Sequence, residues 1–194
     1  MANLTKNTSS KSLWGVLTFA SAVGLVASFI QTVEKINFAS NPSTPLACDL
    51  NKIFSCSNVF DSWQSSVFGF SNSLMCIVFF AVVLGAGFAV ISGGSLGAMY
   101  RKILHFFSVF FLGFGAWYLW QSAYVIGALC IFCIFCYAGV IAMNWAWLRI
   151  NANDLPFSKK TKTMLERCFN SGADTFGWLL YAIAFAAILA FKFI

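Results

Sequence analysis

The chain has 194 residues, of which 60% are hydrophobic and only 9% are charged. Because soluble globular domains carry about 25% charged residues, this composition excludes a soluble protein and predicts an integral membrane protein in contact with a lipid bilayer. The basic residues behind the net charge of +6 are scattered among short segments. That scatter excludes a nucleic-acid-binding patch, so nucleic acid is not an expected partner, and the basic residues bear on orientation instead.

Five apolar stretches are long enough to cross about 30 Å of hydrocarbon as helices, which takes roughly 20 residues each. In chain order they are Leu13–Val33, Ser73–Ser92, Ile103–Tyr124, Gly127–Leu148 and Thr175–Phe193. We therefore predict an all-α membrane protein. In this prediction residues 1–12 are a tail, residues 13–148 form a four-helix transmembrane bundle, residues 149–174 are a loop, and residues 175–194 hold a fifth transmembrane helix.

The lysine and arginine residues predict the orientation of the chain. Nine of the twelve fall in the N-terminal tail or in loops on its side of the membrane, and Lys35, Lys52 and Lys192 fall on the other side. Cytoplasmic segments carry the excess of basic residues. We expect a multi-pass protein of the cytoplasmic (inner) membrane with a cytoplasmic N-terminus and an outer C-terminus, and the inverted topology is the alternative.

Two pairs of cysteines lie on the predicted outer side. Cys48 and Cys56 fall in an outer loop, residues 34–72, where the seven residues between them allow an intramolecular disulfide. Cys130 and Cys133 form a Cys-x-x-Cys near the outer end of the fourth stretch. Disulfides persist on the oxidising side of a membrane, and a helix N-terminus stabilises the thiolate that attacks a disulfide. The pattern favours thiol–disulfide chemistry, and we expect exposure and mobility to make the loop pair reactive.

The fourth stretch carries a polar stripe in an otherwise apolar segment. Cys130, Cys133 and Tyr137 share one helical face, which should point into the bundle because polar groups facing lipid are costly. A c-type haem site needs histidine after the second cysteine, where Ile134 stands. A zinc site usually includes histidine. The only histidine, His105, lies at the predicted cytoplasmic end of the third span, away from the two cysteine pairs. We expect no metal, and buried structural cysteines are the alternative.

The outer loop also carries an apolar pattern. Val59, Phe60, Trp63 and Val67 recur at helical spacing among polar residues. The segment is too short to span a membrane, so we predict a short interfacial helix that covers a redox site. A plain connecting loop is the alternative.

The combined pattern resembles the vitamin K epoxide reductase family, in its bacterial, disulfide-forming branch. The resemblance covers about residues 13–148 and has the loop pair before the Cys-x-x-Cys. The residues that carry it are Cys48-Asp49, Ser55-Cys56-Ser57 eight residues later, Val59, Ser62, Ser71-Asn72-Ser73, Cys130-Ile-Phe-Cys133 and Tyr137-Ala138.

The resemblance implies roles for these residues. It implies that Cys130 and Cys133 are the active-site pair and that Cys48 and Cys56 are a shuttle pair that brings electrons to them. It further implies a quinone site inside the bundle. The residues implied as hydrogen-bonding partners near the quinone are Ser62, Asn72 and Tyr137.

The implied activity is that of a quinone-dependent thiol–disulfide oxidoreductase. The expected acceptor is a membrane quinone, ubiquinone or menaquinone, and the expected donor is an extracytoplasmic thioredoxin-fold (DsbA-like) protein acting in trans. A reductase of vitamin K epoxide or of quinone would use the same residues and is the first alternative. A non-catalytic membrane scaffold with structural disulfides is the second, and it predicts that Cys130 and Cys133 tolerate serine.

Overall fold

The computed structural model describes residues 2–43 and 46–194, with side chains from residue 11 onward. The α-helices of this part of the chain are α1 Ala2–Ser40, α2 Cys56–Phe60, α3 Asn72–Ile91, α4 Ala98–Gln121, α5 Ile131–Asn151, α6 Lys159–Ser171 and α7 Ala173–Phe191. A 3₁₀ helix, Trp63–Ser66, follows α2, and a π-helical turn, Ser122–Ile126, continues α4.

Within the described residues, five helical segments are long and apolar enough to cross a membrane. They are Lys11–Ser40, Asn72–Ile91, Ala98–Ile126, Ile131–Asn151 and Ala173–Phe191. This arrangement confirms the predicted all-α membrane fold with five spans.

The helix ends differ from the predicted spans in two places near the outer loop. The helix α1 continues to Ser40, well past the predicted end at Val33. The helix α5 begins at Ile131, later than the predicted Gly127, because Gly127 has a left-handed φ of 78° and Cys130 is extended. Cys130 therefore caps the N-terminus of α5, whereas Cys133 lies in its first turn.

The helices α1, α3, α4 and α5 form the bundle. The helix α1 packs along both α3 and α5, and α4 packs along α5. Leu17, Phe80, Met143 and Trp147 are fully buried between them. At Gly24 of α1 the Phe80 ring occupies the space that a Cβ atom would need, so a glycine there lets α1 and α3 approach closely.

The fifth span lies outside this bundle. Leu189 is the one residue of α7 that is buried. At the end remote from the outer loop, Asp174 accepts hydrogen bonds from Nε and Nη2 of Arg149 in α5, both at 2.6 Å. Trp145 of α5 donates to Thr175 over 3.1 Å. Near the other end of α7, the hydroxyl of Tyr124 donates to the carbonyl of Ile188 over 2.7 Å. Polar contacts therefore contribute to holding α7 against the bundle, since little of α7 is packed.

Candidate redox site

The described residues between α1 and α3, 41–43 and 46–71, form a cap over one end of the bundle. Within the cap, Cys48 and Cys56 are joined by a disulfide with a Cα–Cα distance of 5.7 Å. Asp49 holds the segment around it, since its Oδ1 accepts from the backbone N–H of Ser57 and from the hydroxyl of Ser55, both at 3.1 Å. The seven-residue spacing thus closes the intramolecular disulfide that the sequence allowed.

The cap is attached by its backbone to the chain just before α5. The N–H of Ser55 donates to the carbonyl of Leu129 over 3.1 Å, and the N–H of Leu129 donates to the carbonyl of Ile53 over 2.7 Å. These bonds form a short parallel bridge between Phe54 and Leu129. Because each bridge partner precedes a cysteine by one or two residues, the bridge brings the two cysteine pairs together.

The shortest approach between the pairs joins Cys56 and Cys130. Their Sγ atoms lie 3.3 Å apart, which is a separation typical of reacting atoms before bond formation. The thiol of Cys130 precedes the fourth span, and its hydrogen bond with Cys133 lowers its pKa although burial opposes this change. A lowered pKa favours the thiolate, the nucleophilic form in disulfide exchange.

The Cys48–Cys56 disulfide is buried, so the expectation that exposure makes it reactive is wrong. Cys48 is 1% exposed and Cys56 is 0% exposed. The cause is a hydrophobic cluster that surrounds the sulfur atoms, in which Leu46 and Val59 of the cap meet Leu129. Any partner reaches this disulfide only after part of the cap moves.

Cys133 faces the interior of the bundle. Its Sγ accepts a hydrogen bond of 3.1 Å from Nε2 of Gln31 in α1, and both side chains are buried. Gln31 is not among the residues predicted from the sequence. The available signal was a glutamine inside an apolar span, since polar residues at such positions are rare and often functional.

A cavity of about 50 Å³ lies beside Cys133 in the middle of the bundle. Its walls are largely aromatic, with Phe80 and Phe111 on one side and Tyr118 on another. Ligand pockets in proteins measure about 300–1,000 Å³, so a quinone ring fits only if these side chains move apart. The combination of flat apolar walls with a thiol and amide groups suits a quinone chemically.

Two of the three residues expected near a quinone line this cavity. Asn72 does so, and its amide also ties down the cap, donating to the carbonyl of Gln64 over 2.7 Å and accepting from the N–H of Val67 over 3.2 Å. Tyr137 does so with its ring, and its hydroxyl is hydrogen-bonded to that of Tyr181 in α7.

The third residue, Ser62, lies in the cap. Its hydroxyl donates to the carbonyl of Val59 over 2.6 Å, at the start of the 3₁₀ helix. The predicted short helix of the cap exists as two short pieces, α2 and this 3₁₀ helix. Of its apolar residues Val59 is buried, whereas Trp63 is 67% exposed.

The cap is also anchored to α1. The ammonium group of Lys35 donates to the hydroxyls of Ser65 and Ser66 at 2.8 and 2.7 Å. In the described part of the chain, no group of three or more His, Cys, Asp or Glu side chains is arranged to hold a metal ion.

Comparison with known proteins agrees with this geometry. The sequence model of the Vitamin K epoxide reductase family matches residues 15–148, well over half of the chain. The match includes both cysteine pairs, most of α1, all of α2, α3 and α4, and most of α5. No curated protein matches the sequence. The chain therefore belongs to the vitamin K epoxide reductase family, whose members are membrane oxidoreductases that couple thiol–disulfide exchange to quinones.

Proposed function

We propose that the protein is a quinone-dependent disulfide oxidase that reoxidises an extracytoplasmic thioredoxin-fold protein acting in trans. The observation that carries the proposal is the 3.3 Å approach of Cys56 Sγ to Cys130 Sγ. It connects a disulfide in the cap with a thiol pair beside an internal cavity, which is the connection that electron transfer from a protein to a membrane quinone requires.

The first step takes place in the cap. A thiolate of the reduced partner attacks Cys48, and the electron pair of the broken Cys48–Cys56 bond goes to Cys56. The second thiol of the partner then attacks the partner sulfur that is bonded to Cys48, and the electron pair of that bond goes to Cys48. The partner leaves with a disulfide, and Cys48 and Cys56 hold the two electrons.

The second step crosses the contact between the pairs, starting from a Cys130–Cys133 disulfide. The Cys56 thiolate attacks Cys130, so that a Cys56–Cys130 bond forms and the electron pair of the Cys130–Cys133 bond goes to Cys133. Attack of Cys48 on Cys56 restores the Cys48–Cys56 disulfide and leaves two reduced cysteines in the bundle. That final pattern, a closed cap disulfide with Cys130 and Cys133 free, is the one in the structure.

The third step uses the cavity. Cys130 and Cys133 pass two electrons and two protons to a quinone bound there and become a disulfide again, and quinol is released into the bilayer. Asn72 and Tyr137 are the proposed hydrogen-bonding partners of the quinone oxygens. Ser62, which lies in the cap, is proposed to hydrogen-bond near the quinone. For a two-electron couple about 30 mV is worth about 1.4 kcal/mol, so a quinone potential about 100 mV above that of the partner makes the transfer effectively one-way.

Reduction of quinone by the purified protein tests the proposal. We expect the wild type in detergent, with dithiothreitol as donor, to reduce a ubiquinone or a menaquinone analogue, and Cys133→Ala to abolish this activity. Cys168→Ala is the matched control, because it removes a cysteine on α6, which is remote in the fold from the cap, and should retain the wild-type rate. Testing a quinone epoxide as the acceptor distinguishes the disulfide oxidase from the first alternative, a reductase of quinone epoxide.

Two results would contradict the proposal. Wild-type protein that reduces neither quinone would favour the scaffold alternative. A Cys133→Ala variant that is as active as the wild type would remove Cys133 from the electron path.

A further inference from the structure

We propose that Gln31 is a catalytic residue of this site, whose side-chain amide stabilises Cys133 as the thiolate that leaves when Cys56 attacks Cys130. The inference rests on the proposed function, because it concerns one step of the proposed exchange.

The hydrogen bond of Gln31 differs from those of three hydroxyl side chains that precede it in α1. Thr18, Ser21 and Ser28 donate to backbone carbonyls of their own helix at 2.6–2.8 Å, which is the ordinary way to satisfy a hydroxyl inside a span. Gln31 instead donates from Nε2 to Cys133, 102 residues away on α5, over 3.1 Å. Burying an amide is costly unless it is paired, and the partner here is a sulfur atom of the reacting pair.

The direction of this bond matches the direction of electron flow. When the Cys130–Cys133 bond breaks, negative charge develops on Cys133, to which the amide N–H already points. A hydrogen bond to an ionised acceptor is roughly twice as strong as one between neutral groups, so the bond favours the transition state over the disulfide ground state. A leaving thiol of lower basicity also departs faster.

A positive charge on the same helix adds to this effect. Lys35 lies one turn beyond Gln31 on the same face of α1, and the cap fixes its ammonium group. The other ionisable side chains that face Cys133 from the surrounding helices are Cys76 of α3, Tyr118 of α4, and Cys130 and Cys136 of α5. Of these, only Cys130 is altered in the experiment below, and it is replaced identically in the parent and in every variant.

The pH dependence of Cys133 alkylation tests the inference without quinone. In a Cys130→Ala background, Cys133 is alkylated with iodoacetamide over a range of pH and quantified by mass spectrometry. We expect Gln31→Met, which is close in size but cannot donate, to move the midpoint upward by about one pH unit. Gln31→Glu should move it further, because a carboxylate repels the thiolate. Ser28→Ala, which removes a buried hydroxyl one turn away, should leave it unchanged.

A midpoint that is the same in Gln31→Met and in the parent would overturn the inference and make Gln31 a packing residue. A Gln31→Glu midpoint at or below the parent value would do the same, and this second variant guards against misfolding of the first. The proposed function fails separately, through absence of quinone reduction in the wild type. In an active wild type, Gln31→Met should lower kcat about tenfold.

Discussion

At the scale of single residues, the approach of Cys56 to Cys130 predicts which mixed disulfide the protein can form. In a Cys48→Ala/Cys133→Ala variant each of these two cysteines has lost its own partner. Their Sγ atoms need to move only about 1 Å from their 3.3 Å separation to reach bonding distance. We expect mild oxidation to join Cys56 to Cys130 in nearly all molecules, as measured by proteolysis without reductant followed by mass spectrometry.

The matched variant for this experiment is Cys48→Ala/Cys130→Ala, which leaves Cys56 together with Cys133. Because Cys133 faces the cavity and Gln31, we expect little bridging to Cys56. Equal yields of cross-linked product in the two double variants would contradict the assignment of Cys130 as the sulfur that receives the attack.

The residues of this site were predictable from the sequence to different degrees. The two cysteine pairs followed from their spacing and from the side of the membrane on which both fall. Gln31 did not, because its partner is 102 residues away in the chain and a single polar residue in an apolar span gives no sign of which helix it faces. The backbone bridge that brings Cys56 to Cys130 also escaped prediction, since it involves only a few residues without any periodic pattern.

At the scale of helices, the attachment of α7 predicts a difference between two similar ion pairs. Asp174 is 7% exposed and binds Arg149 through two hydrogen bonds, whereas Asp154 is 32% exposed and pairs with Arg101. Removing a charge from a buried pair costs more than from a surface pair. We expect Asp174→Asn to lower the free energy of unfolding by about 1–3 kcal/mol and Asp154→Asn by less than about 1 kcal/mol.

Thermal unfolding in detergent, followed by the helical circular dichroism signal, measures this difference as a lower Tm for Asp174→Asn. The two substitutions are chemically identical, and the pairs differ in burial and in the number of hydrogen bonds between the side chains. If both variants unfolded at the same temperature, the contact of Asp174 with Arg149 would contribute no more than a surface pair, and the position of α7 would depend on its other contacts.

Helix existence was easier to predict than helix ends. All five spans followed from the length of apolar runs, because a span must satisfy its backbone within itself. The end of α1 did not follow from the apolar run, because the polar residues after Val33 remain helical, with Lys35 hydrogen-bonded to the cap. The start of α5 did not either, because the bridge at Leu129 holds the preceding residues extended.

At the scale of the whole molecule, the distribution of basic residues predicts that the cap and α6 face opposite sides of the membrane. In intact cells a membrane-impermeant maleimide should label an exposed cap residue changed to cysteine, as in Ser43→Cys combined with Cys168→Ala. It should leave Cys168 of the wild type unlabelled until the membrane is permeabilised. Labelling is read as the mass added at each site.

The parent for this comparison is Cys168→Ala alone, which corrects for labelling of the remaining cysteines. Labelling of Cys168 in intact cells, with protection of the cysteine at position 43, would establish the inverted topology and exclude an extracytoplasmic thiol donor. The orientation is thus tested independently of the redox chemistry.

The burial of the cap disulfide has a kinetic consequence. A partner that reaches Cys48 only after the cap opens cannot react faster than the cap opens, however concentrated the partner is. The maximal turnover rate should therefore be the same with a protein donor and with a small thiol. The two donors should differ in the concentration that is needed to approach this rate. The same barrier slows exchange with unrelated thiols, so the closed cap selects donors by their ability to capture the briefly opened state.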